Sequence, residues 1–156
     1  MIAAVYLSLG SNLGDRKALV DEAVARIGNL PRTTLRIRSA YYRTAPVGPV
    51  KQAWFLNIAI GIETHLGKAE LAAACRQIEA ALGRDRTKET PSGPRPIDID
   101  VLTAPLDTRA FVLVPLAEIA GDATFEGKTV DARLAAANTS GVEKLGWPIP
   151  PIEPST

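Results

Sequence analysis

Two aspartates stand one residue apart in the segment GPRPIDIDVL, residues 93–102. Asp98 and Asp100 alternate with apolar, mostly β-branched residues, which indicates a strand. Residues two apart in a strand point to the same face, about 7 Å from each other. Like charges so placed repel unless a cation neutralises them, and Mg²⁺ takes few protein ligands beside water and phosphate oxygens. The spacing indicates a magnesium site for a nucleotide triphosphate, and a plain solvent-facing strand edge is the alternative.

Basic side chains are concentrated around the aspartates, at Arg84, Arg86, Lys88, Arg95 and Arg109. Guanidinium groups match phosphate oxygens bidentately, and phosphoryl transfer is catalysed mainly by cationic charge and positioning. A solvated surface run is the alternative interpretation, and it is favoured for Lys88. The P-loop signature is missing from the sequence, which excludes that class of phosphate-binding protein.

Aromatic and amide side chains suggest a flat pocket. Phe55 and Asn57 lie on a predicted strand beside the TAPVGP loop, and Phe111 follows Arg109 closely. Together they could enclose a planar heterocycle, although core packing is the commoner role for aromatics on strands. An RNA-binding module would need exposed aromatics on the central strands, whereas the DIDVL segment offers carboxylates.

The elements that must position these residues follow from hydrophobic periodicity. The patterns predict strands over 2–9, 33–44, 54–64, 97–101 and 110–116, and helices over 15–27, 68–83 and 130–138. Cys75 is expected on the buried face of the second helix, and His65 is expected to be structural. The order βαββαβ, with additions at the end, predicts a ferredoxin-like α+β fold, with helices packed on an antiparallel sheet.

Composition sets the broad class. The 156 residues are 46% hydrophobic and 22% charged, with a formal net charge of +1. These values predict one globular domain over 1–147, followed by a proline-rich tail over 148–156 that is extended or disordered. Nothing in the charge indicates a nucleic-acid or membrane partner. A single cysteine, with neither a basic leader nor a long apolar run, predicts a cytoplasmic protein.

Several segments, in this order, resemble one known family. They are LSLGSNLGDR, SAYYRTAPVGPVKQAWFLNIAI, IEAALGRDR, GPRPIDIDVL and RAFVLVPLAEIA, and they extend from residue 4 to about residue 120. The chain is similar to the 6-hydroxymethyl-7,8-dihydropterin pyrophosphokinases. The resemblance implies a ferredoxin-like fold and transfer of pyrophosphate from ATP to 6-hydroxymethyl-7,8-dihydropterin, with release of AMP, in folate synthesis.

The resemblance also assigns roles by position. It implies two Mg²⁺ ions on Asp98 and Asp100, with Arg84 and Arg95 also catalytic. The residues that it places around the pterin are Thr44, Ala45, Pro46, Val47, Phe55, Asn57 and Phe111. Those that it places around ATP are Glu79, Arg84, Arg86, Arg95 and Arg109.

Two departures from the family pattern bear on activity. Only VLTAPLDT separates Asp100 from Arg109, where the family has a longer segment with a Pro-His pair, and Ser92 stands where a tryptophan is frequent. The shorter segment is expected to weaken ATP binding or to admit another donor. Two hypotheses therefore stand: an active pyrophosphokinase, and a degenerate homologue that binds a pterin without catalysis or uses another donor.

Overall fold

The computed structural model describes residues 2–46, 48 and 50–146. Position 147 and the predicted tail over 148–156 lie outside the described residues. The strands are β1 Ala3–Ser11, β2 Thr33–Arg38, β3 Tyr42–Thr44, β4 Phe55–Thr64, β5 Asp98–Val101, β6 Thr124–Phe125, β7 Lys128–Thr129 and β8 Val142–Lys144. The helices are α1 Arg16–Gly28, α2 Lys68–Ala81, α3 Ala110–Ala120 and α4 Val130–Ala135, and a 3₁₀ turn spans Arg86–Lys88.

The main sheet is antiparallel and confirms the predicted ferredoxin-like α+β architecture. Its strands follow the order β5-β1-β4-β3-β8, and β2 pairs with β4 beside β3. The two long strands, β1 and β4, are central, and β5 lies at one edge, where it pairs with β1. The aspartates of β5 are therefore held at a sheet edge by the most extensively paired part of the fold.

One face of the sheet is covered by α1 and α2. Alternate residues of β4, namely Leu56, Ile58, Ile60 and Ile62, pack there with the apolar stripes of both helices. Cys75 is buried in the same core, as predicted, and burial raises the pKa of its thiol to about 11. This face carries most of the apolar burial that stabilises the domain.

The opposite face is covered by α3 and α4, which form a second core with Ala59 of β4. The sequence pattern predicts a strand over 110–116, and this prediction is wrong, because the segment begins α3. Val112, Leu113, Leu116 and Ala120 follow helical spacing and are buried. The β-branched run with Pro115 resembles a strand locally, and packing against the sheet decides the outcome.

The single strand predicted over 33–44 is interrupted in the structure. Ser39 donates its backbone N–H to the Ala59 carbonyl, and its hydroxyl accepts the Ala59 N–H at 2.9 Å. Because a side chain replaces a backbone carbonyl in the ladder, the chain leaves regular pairing between β2 and β3.

Among the described residues, no helix has the length and apolar character needed to cross a membrane.

The assignment of 110–120 as a helix predicts which leucines matter for stability. Leu116 is fully buried in the second core, so Leu116→Ala should lower the free energy of unfolding by about 2–5 kcal/mol. Leu13→Ala removes the same atoms from a half-exposed side chain and should cost much less. Urea denaturation of the two variants measures this difference, and equal losses would contradict the assigned packing.

Candidate functional site

The aspartates of β5 lie on one face of the strand, as the alternation predicts. Gly10 pairs with Asp98 and Ser8 pairs with Asp100 across the β1–β5 ladder. Ile99, between the aspartates, is buried in the first core, so both carboxylates lie on the side opposite α1 and α2. Both carboxylates reach solvent beside the end of β1.

The two carboxylates have different surroundings. Oδ1 of Asp98 accepts a hydrogen bond from Nη1 of Arg84 at 2.9 Å. The Asp100 carboxylate has no hydrogen bond or ion pair within the described ranges 2–46, 48 and 50–146. Reduced hydration, followed by the negative charges of Asp98 and Asp107, raises the pKa of Asp100. Arg109 opposes this shift only in part, so Asp100 is the less compensated charge of the pair.

A first cavity, of about 250 Å³, lies beside the ends of β1, β3 and β4. It is lined by five of the seven residues predicted for the pterin, which are Thr44, Ala45, Phe55, Asn57 and Phe111. Of the other two, Pro46 is described but does not line the cavity, and Val47 lies outside the described residues. The two phenylalanines of the prediction therefore face one cavity.

Asn57 is fixed at the inner wall of this cavity. Its Oδ1 accepts the Thr44 hydroxyl at 2.6 Å, and its Nδ2 donates to the Leu9 carbonyl at 3.2 Å. Each amide atom keeps one further hydrogen-bonding position, suited to a polar edge of a planar ligand. Gly10 makes this placement possible, since a Cβ there would lie 2.4 Å from Nδ2.

A second cavity, of about 410 Å³, lies along α2 and β5. It is lined by four residues predicted for ATP, Glu79, Arg84, Arg86 and Arg95, and by both aspartates, Asp98 and Asp100. Lys68 and Arg76 add two basic side chains that the sequence analysis did not single out. Their spacing of two helical turns on α2 could have indicated that both face the same side of the helix. Arg95 and Asp98 line both cavities, so the cavities adjoin there.

Arg109 lies in the first cavity, not in the second, where its predicted nucleotide role would place it. Its guanidinium lies 4.6 Å from the centre of the Phe111 ring and is paired with Asp107 at 2.7 Å. Asp107 belongs to the short segment after β5, and the sequence pattern did not single it out. The pair sets Arg109 against one wall of the cavity.

The loop that carries Arg95 is anchored by two amide side chains. Oδ1 of Asn12 accepts the Arg95 N–H at 3.0 Å, and Nδ2 of Asn12 donates to Gln52 at 2.8 Å. Gln52 in turn donates to the Ser92 carbonyl at 2.7 Å. Asp15 caps α1, whereas Asn12, at the end of β1, ties this loop to the sheet.

The comparisons with known proteins agree on one family. The family described as 7,8-dihydro-6-hydroxymethylpterin-pyrophosphokinase matches residues 6–121. A 2-amino-4-hydroxy-6-hydroxymethyldihydropteridine pyrophosphokinase of Methylorubrum extorquens is 44% identical over 90% of this chain and 97% of its own length. The protein of that name from Pseudomonas aeruginosa is 34% identical over 93% and 98%. A mitochondrial folate synthesis bifunctional protein of Pisum sativum is 33% identical over 91% and 31%.

The fold and the adjoining cavities define a ferredoxin-like domain that gathers aspartates and arginines beside a pocket with aromatic walls. The chain belongs to the 7,8-dihydro-6-hydroxymethylpterin-pyrophosphokinase family.

The raised pKa of Asp100 predicts a pH-dependent stability. A carboxyl whose pKa is higher in the folded state than in the unfolded state destabilises the fold above that pKa and ceases to do so as the pH falls through it. Asp100→Asn should therefore stabilise the metal-free protein at pH 7, by less than about 1 kcal/mol, and the gain should shrink on acidification.

Urea denaturation in chelator at several pH values measures this gain. Asp122→Asn makes the same charge change at an exposed position and is the matched control. An equal change in the free energy of unfolding of the two variants at every pH would show that the surroundings of the Asp100 carboxylate do not disfavour its charged form.

Proposed function

We propose that this protein transfers pyrophosphate from ATP to the hydroxymethyl group of 6-hydroxymethyl-7,8-dihydropterin and releases AMP, as a step of folate synthesis. The names of the relatives denote a pyrophosphokinase for this pteridine and, in the plant protein, folate synthesis. The observation that carries the proposal is the meeting of the two cavities at Arg95 and Asp98. A phosphate donor in one cavity and an acceptor in the other would meet beside the aspartates.

The first cavity suits the pterin. Phe55 and Phe111 offer apolar surfaces to a flat ring, and Asn57 offers both a donor and an acceptor to its polar edge. Thr44 and Ala45 line the same cavity, and Pro46 and Val47 are proposed as neighbouring contacts. Fixing the ring this way would direct its hydroxymethyl group toward the junction of the cavities.

The second cavity suits the triphosphate. Arg86 is 58% exposed on its side chain, and Arg95 lies where the cavities meet, so both can approach phosphate oxygens. Arg109 is proposed to reach the phosphates from the first cavity. Direct nucleotide contacts by Glu79 and Arg84 stay predictions. Both side chains are buried and paired with each other, which leaves them less available to a ligand than Arg86 and Arg95 are.

Mg²⁺ fits the chemistry of the aspartate pair. The Asp100 carboxylate has no ion pair among the described residues, and its pKa is raised by reduced hydration and by neighbouring carboxylates, which outweigh the opposing charge of Arg109, a condition that a divalent cation relieves. We propose that Asp98 and Asp100 hold two Mg²⁺ ions together with ATP. When bound, the ions would neutralise charge on the phosphate oxygens.

The reaction follows from these placements. The hydroxymethyl oxygen forms a bond to the β-phosphorus and loses its proton, while the bond from the β-phosphorus to the α-phosphate oxygen breaks and AMP leaves. Arg95 at the junction would stabilise the charge that builds up on the phosphates, and Asp100, which lines the second cavity, would assist in removing the proton.

No feature of the described residues favours the inactive homologue over the enzyme. The shorter segment after β5 places Leu102 and Leu106 in the second core and leaves Arg95, Asp98 and Asp100 around the second cavity. Use of another donor, and the cytoplasmic location indicated by the sequence, stay predictions.

Loss of Asp100 separates catalysis from pterin binding. Asp100→Ala should reduce pterin-dependent AMP formation below detection while leaving the affinity for the pterin within about twofold, because Asp100 does not line the first cavity. Chromatographic assay of AMP and calorimetric titration with the pterin measure both quantities. Full activity in the variant would refute the metal-ligand role, and an inactive parent protein would refute the proposed function.

Crowding the inner wall of the first cavity tests the pterin site. Gly10→Ala places a Cβ 2.4 Å from Nδ2 of Asn57, which forces the amide to move. Affinity for the pterin should fall at least about tenfold, the loss expected when buried polar groups of a site are left unpaired. Gly28→Ala, whose new atom would meet Leu35 at an ordinary 3.5 Å, is the control and should bind normally.

A further inference from the structure

The backbone on both sides of Asp98 is held by side chains and not by another strand. Strand β5 is at the sheet edge, where its outer backbone N–H and C=O groups have no strand partner among the residues that the structure describes. Oε2 of Glu79 accepts the Ile99 N–H at 2.8 Å, and Nη1 of Arg84 donates to the Ile97 carbonyl at 3.3 Å. The two backbone groups that flank Asp98 along this edge are therefore both satisfied by one pair of residues from outside the sheet.

The same pair also holds the Asp98 carboxylate. Nη1 of Arg84 lies 2.7 Å from Glu79 Oε2 and 2.9 Å from Asp98 Oδ1. The Arg84 and Glu79 side chains are only 3% and 2% exposed, whereas that of Asp98 is 42% exposed. The pair thus forms a buried anchor beneath a solvent-accessible carboxylate.

The remaining atoms of the anchor are occupied as well. Nε and Nη2 of Arg84 pair with the two oxygens of Glu89 at 2.7 and 3.1 Å, and Oε1 of Glu79 accepts from Arg86 at 2.9 Å. Contact of either residue with a nucleotide would require breaking a buried ion pair, which leaves an uncompensated charge. The exposed Arg86 can reach a nucleotide at far lower cost.

We propose that Glu79 and Arg84 are positioning residues that act through Asp98: the buried pair fixes the backbone and one carboxylate oxygen of Asp98, so that the other oxygen is presented to a cation at the junction of the cavities. This inference rests on the proposed function for the role of Asp98. It differs from the family resemblance, which places Glu79 and Arg84 in contact with ATP.

Replacement of Glu79 by methionine tests the inference. Glu79→Met keeps the length of the side chain, removes the acceptor for Ile99, and leaves Arg84 paired with Glu89 and Asp98. The Mg²⁺ concentration for half-maximal activity should rise about 10–100-fold, the usual effect of removing a partner of a metal ligand. Exchange of the Ile99 amide, measured by NMR on the metal-free protein, should accelerate at least about tenfold.

A nucleotide titration in chelator separates positioning from direct contact. Without metal, the affinity of Glu79→Met for ATP should stay within about twofold of the parent, whereas Arg86→Ala should lose affinity, because Arg86 is proposed to touch the phosphates. A tenfold loss of metal-free ATP affinity in Glu79→Met, with an unchanged Mg²⁺ requirement, would overturn the inference and support the contact role.

Two further variants keep the result interpretable. Glu79→Gln retains an oxygen that can accept the Ile99 N–H, so it should preserve amide protection and raise the Mg²⁺ requirement less than methionine does. Should the methionine variant fail to fold, the glutamine variant carries the test, and an unchanged Mg²⁺ requirement there would overturn the inference. Glu143→Met makes the same change at an exposed position on β8 and should match the parent.

The outcomes also distinguish this inference from the proposed function. A parent protein that forms no AMP refutes the proposed function. Calorimetric Mg²⁺ titration in the presence of ATP, together with amide exchange, would then decide on the anchor, and loss of Mg²⁺ affinity in Glu79→Met would still support it. An active parent whose Mg²⁺ requirement and Ile99 exchange are unchanged in Glu79→Met refutes the inference alone.

Discussion

The site depends on an electrostatic constraint at the edge of the main sheet. Strand β5 must present two carboxylates on one face while its outer backbone groups remain unpaired by any strand among the described residues. The fold meets both demands with the Glu79–Arg84 pair, which supplies an acceptor to Ile99 and a positive charge to Asp98. Buried ion pairs contribute little net stability on their own, so the geometry that this pair imposes is the stronger reason for its presence.

Two features of the fold follow from the same constraint. The second helix brings Glu79 to the sheet edge because its apolar stripe packs on the first core, and the helix ends shortly before Arg84. On the other face, Gly10 of β1 leaves room for Asn57 beside the aspartates. The two cavities adjoin at this edge and share two lining residues, Arg95 and Asp98.

The sequence analysis correctly predicted the elements whose hydrophobic periodicity is clear within the segment itself. It was wrong where packing against other elements decides the secondary structure. The alternation of Asp98 and Asp100 with buried neighbours, and the stripe of α2, follow from local pattern alone. The segment 110–120 does not, because a β-branched apolar run becomes a helix only when the sheet and α4 cover it. The role of Asn12 was hidden because it depends on a contact with Arg95, which is distant in sequence, whereas Asp107 pairs with Arg109 only two residues away and was not singled out by any pattern. The direct metal and nucleotide roles stay predictions.

The exposure of their side chains distinguishes Arg84 from Arg86, whereas their spacing in the sequence does not. Both are predicted from the sequence as phosphate ligands. In the structure Arg84 is buried and paired with carboxylates, whereas Arg86 is largely exposed. An arginine whose three side-chain nitrogens all donate to protein acceptors has little capacity left for a ligand, whereas one that makes a single hydrogen bond can rotate toward it. The short segment after β5 is also defined by burial and pairing: Leu102 and Leu106 are buried in the second core, and Asp107 holds Arg109 beside Phe111. A positive charge is thereby kept at the first cavity, although this segment is shorter than in the family pattern.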